Sequence, residues 1–223
     1  MYLFALDFKA SKCLDFREFS QVARPKEQTE RRKDLVQAAM DAIAVRGLSG
    51  LRLKDIAKEA GLSIGSVSYY YPEIEDLLVE AHREALERFY WNRVEHVDQC
   101  ESAAEQIVVA IQEGIPDEPV TSDVRTLYEL HTYAGRNPAH ASMMTTLWDR
   151  EVSLYERVIE RGVGQGHFKP THDLRVIAET AVALEDAFNL HLVSSNGAVT
   201  AKLARERLSS YLATALSCMI ATQ

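Results

Sequence analysis

The densest chemistry in this chain lies in LKDIAKEAGLSIGSVSYYY, Leu53 to Tyr71. Ser66, Ser68 and Tyr69 carry hydroxyls that donate and accept hydrogen bonds, as phosphate oxygens and base edges require. Gly65 removes a side chain where another molecule's backbone must come near. Other chemistries find no constellation. The histidines at 82, 96, 131, 140, 167, 172 and 191 have no metal-ligand spacing with cysteines or carboxylates. There is no HExxH, nucleophile elbow or P-loop, and GVGQG at Gly162–Gly166 follows a helical pattern rather than a strand. No catalytic residue, metal or cofactor is expected.

The spacing around those hydroxyls supplies their support. Ile56, Ala57 and Ala60 share one face of a short helix, and Gly61 is the turn residue, where a left-handed backbone is cheap only for glycine. Leu62 closes the corner from inside and Ser63 is placed to cap the next helix. Val67 and Tyr70 face back onto the first helix, with Ala57 allowing the close crossing. Ser63, Ile64, Gly65, Ser66, Ser68 and Tyr69 are left outside, as on a helix that enters a major groove.

The remaining elements read as helices. Thr29 is placed to cap a run with Leu35, Ala38, Ala39, Ala42 and Ile43 on one face until Gly47. After helices at 53–60 and 64–71, the pattern predicts 73–96, 101–113, 122–135, 138–162, 172–194 and 199–220. No convincing strand alternation occurs, so the fold is all-α: an N-terminal three-helix helix-turn-helix unit and a C-terminal helical body. The expected organisation is an arm over 1–28, the helix-turn-helix over 29–72 and the body over 73–223. VARPKEQTERRK, from Val22, has the look of a short basic arm, and a valine codon can start translation; residues 1–21 are read either as an extension ahead of the true start or as a genuine arm that packs on the body or reaches a minor groove.

Charge follows the same division. The chain carries −8 overall, but residues 22–72 hold nine bases against six acids, +3, residues 1–21 net zero, and 73–223 are left with −11. An acidic body is repelled by phosphate and helps to aim the basic head. Cys13, Cys100 and Cys218 have no paired spacing, which fits a reducing cytoplasm. No stretch has the ~20 apolar residues of a membrane span.

Glu30 to Leu78, with GLSGLRLKDIAKEAGLSIGSVSYYYPEIEDLL at its centre, resembles the DNA-binding domain of TetR-type regulators. WDREVSLYERVIERGVGQGHF is loosely similar to the branch that includes the choline-responsive regulators. The resemblance implies a repressor that binds a palindromic double-stranded operator as a homodimer, joined through its last two helices and released by a small molecule. It implies that Ser66, Ser68, Tyr69 and Tyr70 belong to the reading helix, with Tyr70 and Lys54 on phosphates. Three positions depart from the family's pattern: Arg52 replaces a common Thr, Ser68 a common Tyr, and Ile74 a phosphate-clamping Lys. Arg31, Arg32 or Arg52 are the cations available to compensate.

In the body, Tyr128, His131, Tyr133, Trp148, Glu185, Asp186, Asn189 and His191 interrupt apolar faces. Convergent polar groups in an apolar cavity suit a mixed-polarity ligand, and Glu185 with Asp186 suits a cationic one. The competing reading is a helical protein-interaction adaptor whose helix-turn-helix no longer binds DNA.

Overall fold

The computed structural model describes residues 17–117 and 119–220. Among these residues the secondary structure is helical throughout: α1 (Arg17–Arg46), α2 (Leu53–Glu59), α3 (Ile64–Tyr70), α4 (Ile74–Asp98), α5 (Ala103–Gly114), α6 (Ser122–Ala134), α7 (Pro138–Gly164), α8 (Leu174–Val193) and α9 (Ala201–Ala215).

Local chemistry sets most of the ends. Gly47 leaves α1 with φ +72° while its N–H donates to the Ile43 carbonyl. At the end of α2, Gly61 (φ +65°) donates to Lys58 O and Leu62 N–H to Ala57 O, the paired bonds of a Schellman stop. Asn137 caps α7 through a bond from the Ala139 N–H, with Pro138 in the first turn, where its missing N–H costs nothing.

Two ends differ from the sequence reading. α1 begins at Arg17, so Thr29, expected as its cap, lies inside the helix. Residues 1–16 of the expected arm lie outside the described residues. α9 stops at Ala215 rather than 220: Ser217 takes φ +47°, and Cys218 N–H reaches back to Ala213 O. The turned tail then receives the α7–α8 connection, whose Lys169 and Thr171 N–H groups donate to Leu216 O and Ala215 O.

Two large apolar cores share α4, with a small third cluster of Ile43, Leu78 and Leu130 beside them. The first joins Leu35, Ala39 and Met40 of α1, Ile56 and Val67 of the corner, Leu77, Ala81 and Ala85 of α4, and Val124 and Leu127 of α6. The second joins α5, α7, α8 and α9, and reaches Val97 near the end of α4. α6 is also fixed to the head by hydrogen bonds, from Thr126 Oγ1 to Met40 O and from Leu48 N–H to Glu129 Oε2. α1 thus lies between α6 and α2, packing against both.

Candidate nucleic-acid interface

α3 is short, and its position rests on its two ends. At the start, Ser63 Oγ accepts the Ser66 N–H at 3.0 Å and lies 2.9 Å from Ser66 Oγ. At the end, Tyr71 is fully buried; its hydroxyl donates to Glu80 of α4. Arg32 of α1 closes this clamp, with Nη2 2.6 Å from Glu80 Oε1, its guanidinium 4.4 Å from the Tyr71 ring centre and Nη1 donating to Tyr70 O. Burial works against the Glu80 charge, but the bonds from Tyr71 and Arg32 prevail and hold its carboxyl below the usual range. Burial first, then Glu80, raises the Tyr71 hydroxyl's pKa, so it stays a donor. Val67 is fully buried against the head core.

With its inner face and ends fixed, α3 leaves Ser63, Ile64, Gly65, Ser66 and Tyr69 exposed. Ser68 is half-buried, and Tyr70 packs on the head core with its ring edge-on to Tyr69, 5.2 Å between centres. Arg52 precedes α2, its backbone N–H held by Asp55, and Arg52 and Lys54 are both exposed. Arg31 is exposed and paired with Asp34 at 3.4 Å. Arg32, another of the three candidate cations, pairs with Glu80 in the clamp, its side chain 43% exposed. Ile74 is half-buried, packed beneath the head at the first residue of α4.

The polar groups of the body divide into separate places. Tyr128 donates to Asp186 Oδ1 at 2.9 Å, and Asn189 Nδ2 donates to Tyr128 Oη and to Gly114 O. His131 stacks on Tyr128 at 6.1 Å, and these residues border a crevice of about 200 Å³ with Thr132, Ala187 and Leu190. Burial raises the Asp186 pKa despite the Tyr128 bond and the neighbouring His131. Tyr133 lies elsewhere, bonded to Glu75, and Trp148 packs against the body core. His191 pairs with Asn196 at the end of α8.

Glu185 belongs to a buried ionic cluster. Arg93 is fully buried and grips it with two bonds, Nη1–Oε2 at 3.1 Å and Nη2–Oε1 at 2.7 Å. The same guanidinium donates to Glu151 at 3.1 Å and lies 5.0 Å from the Tyr155 ring centre, while Tyr155 donates its hydroxyl to Glu185. Burial opposes the Arg93 charge, but Glu185, Tyr155 and Glu151 overcome it and keep the guanidinium charged. Burial pushes Glu151 well above the usual carboxylate range. Sequence reading missed Arg93, Glu151 and Tyr155. Their signal was Arg93 itself, seven residues after buried Leu86 and four before buried Val97 on one helical face.

The sequence profile of the bacterial regulatory proteins of the tetR family matches residues 35–81. That of the BetI-type transcriptional repressor C-terminal domain matches residues 103–217. The chain is 26% identical over 165 residues to the HTH-type transcriptional regulator YfiR of Bacillus subtilis, covering 70% of this chain and 77% of YfiR. It is 26% identical over 168 residues to the nicotine-responsive transcriptional repressor HdnoR of Paenarthrobacter nicotinovorans, covering 72% and 82% of the two chains. Among solved structures, a transcriptional regulator from Saccharomonospora viridis in complex with choline shares the fold, with TM-score 0.75 and 24% identity over 82% of this chain and 96% of that one. The body profile alone spans more than half of the 223 residues, and the head profile contains the glycine corner and α3. This chain belongs to the TetR family of transcriptional regulators, DNA-binding helix-turn-helix proteins rather than enzymes, with a body of the BetI repressor type.

Proposed function

We propose that this regulator is a homodimeric repressor that sets α3 of each subunit in the major groove of a palindromic operator and leaves it when a small organic cation binds the body. The observation that carries this reading is α3: both ends are fastened, its inner face is buried and its outer face is open. Arg52 and Lys54 flank that face as phosphate contacts, joined by Tyr70 and by Arg31 beyond them.

Dimerisation is supported at α8, where the apolar side chains of Val176 and Leu190 stand 50% and 49% exposed. The cationic effector is supported by the crevice beside Asp186, Tyr128 and His131, a half-buried carboxylate with aromatic walls. The nicotine response of HdnoR and the choline bound to the Saccharomonospora protein point to the same chemical class. The protein would act in the cytoplasm; no described helix is long and apolar enough to cross a membrane.

Selection from random double-stranded oligonucleotides by the purified protein tests the reading. A recovered two-fold symmetric sequence, bound by two subunits with affinity falling steeply in salt, is expected. Release by choline or nicotine, but not by a neutral isostere, would add the effector class, with a coupling of about 1–3 kcal/mol. Failure to enrich any sequence would favour the adaptor reading.

A further inference from the structure

The strongest base-discriminating contacts in a major groove are bidentate: Arg or Lys on guanine, Asn or Gln on adenine. α3 has none of these side chains anywhere along Ile64-Gly65-Ser66-Val67-Ser68-Tyr69-Tyr70. Its serines are partly committed as well, since Ser63 and Ser66 hydrogen-bond to one another and Ser68 is half-buried. The largest groups on the open face are Tyr69, 71% exposed, and Ile64, 52% exposed.

Ile64 has no chemistry except apolar contact. On the floor of a major groove the apolar group is the C5-methyl of thymine. Gly65 strengthens the case. A Cβ added there would meet only Ser63 Oγ, at 3.9 Å, and Gly65 has no positive φ, so neither sterics nor backbone conformation in this chain requires glycine. A helical glycine is nevertheless less favourable than alanine. Its use lies outside the chain, in the close approach of another molecule beside Ile64.

We propose that Ile64 is a specificity-determining residue that seats a thymine methyl in each half-site, with Gly65 allowing the approach. This rests on the reading of α3 as the operator-contacting helix. The resulting regulator distinguishes thymine from cytosine by a methyl group and shape, not by bidentate hydrogen bonds.

The test uses the full chain and the operator selected above. Each half-site thymine is replaced in turn by uracil, which removes only the C5-methyl. At one thymine, uracil should weaken binding by about fourfold per half-site, the worth of one buried methyl. Ile64→Ala, with an unchanged melting temperature, should show the same loss on the thymine operator and no further loss on the uracil operator. An operator that is bound tightly yet indifferent to uracil at every thymine, or one lacking half-site thymine, overturns the methyl contact and leaves the proposed function standing. Loss of all sequence-selective binding overturns both.

Discussion

His82 of α4 and His140 of α7 lie Nδ1 to Nδ1 at 2.8 Å, both fully buried, with their rings near parallel. At that distance one nitrogen donates and the other accepts, so the accepting ring is neutral and the two cannot both be charged. Each Nε2 is buried with no hydrogen-bond partner among the described residues. Burial, then His140 and His131, pushes His82 down to about 3; burial also lowers His140, against the pull of Glu75. The folded protein therefore resists protonation here while the unfolded chain accepts protons from about pH 6.5 downward. Stability from this pair is complete above pH 6.5 and declines as pH falls toward 3. Thermal melts at pH 7.5 and 5 should show a fall in Tm that His82→Leu reduces. An identical fall in the variant would remove the pair from the account.

The Arg93 cluster makes a prediction about stability. Arg93→Met leaves Glu185 and Glu151 buried without their cation, which costs about 3–5 kcal/mol. Adding Glu185→Leu and Glu151→Leu to that variant should recover much of the loss, because no buried carboxyl is left without its guanidinium. Urea midpoints for the single and triple variants measure this. A triple variant no more stable than the single one would show that the cluster's shape, not its charge, holds α4 against α7 and α8.

Two glycines predict opposite outcomes. A Cβ on Gly114 would fall inside contact distance of the Glu185 carboxylate and 2.7 Å from Arg93 Nη2, both fixed by the cluster. Gly114→Ala should cost about 1–3 kcal/mol, as over-packing does. Gly65→Ala meets only Ser63 Oγ, at an ordinary 3.9 Å, so it should leave stability unchanged or raise it by up to about 1 kcal/mol while weakening operator binding. Melting temperature and operator affinity, measured on both variants, must separate in this way.

The sequence showed the corner because its signals are local. Gly61 and Ser63 act within three residues of their partners, Val67 faces back across a single turn, and the structure puts each where its type demands. α1 was misread for the same reason. Pro25 and Thr29 look locally like a boundary, yet the helix continues through both. The clamp and the buried cluster were hidden by distance. Arg32 meets Glu80 across 48 residues, and Arg93 meets Glu185 across 92. Tyr128, Asp186 and Asn189 were legible as polar interruptions, and α6 and α8 join them. Tyr133 and Trp148 interrupted apolar faces equally well but lie outside that group, because a helical pattern gives a face and not its neighbour.

Arg32 and Lys54 are both basic residues of the head, yet their replacement should be felt in different measurements. Lys54 is exposed in the first turn of α2, with no ion-pair partner among the described residues. If it neutralises a phosphate, Lys54→Ala should reduce the slope of log affinity against log salt by about one per half-site and leave Tm unchanged. Arg32 holds Glu80 at 2.6 Å and lies over the Tyr71 ring, so Arg32→Ala loosens the C-terminal fastening of α3. It should lower Tm and reduce affinity for operator and random DNA alike, with the salt slope retained. A slope that falls in Arg32→Ala at unchanged Tm would place that guanidinium on the DNA and leave Tyr71 and Glu80 to hold α3 by themselves.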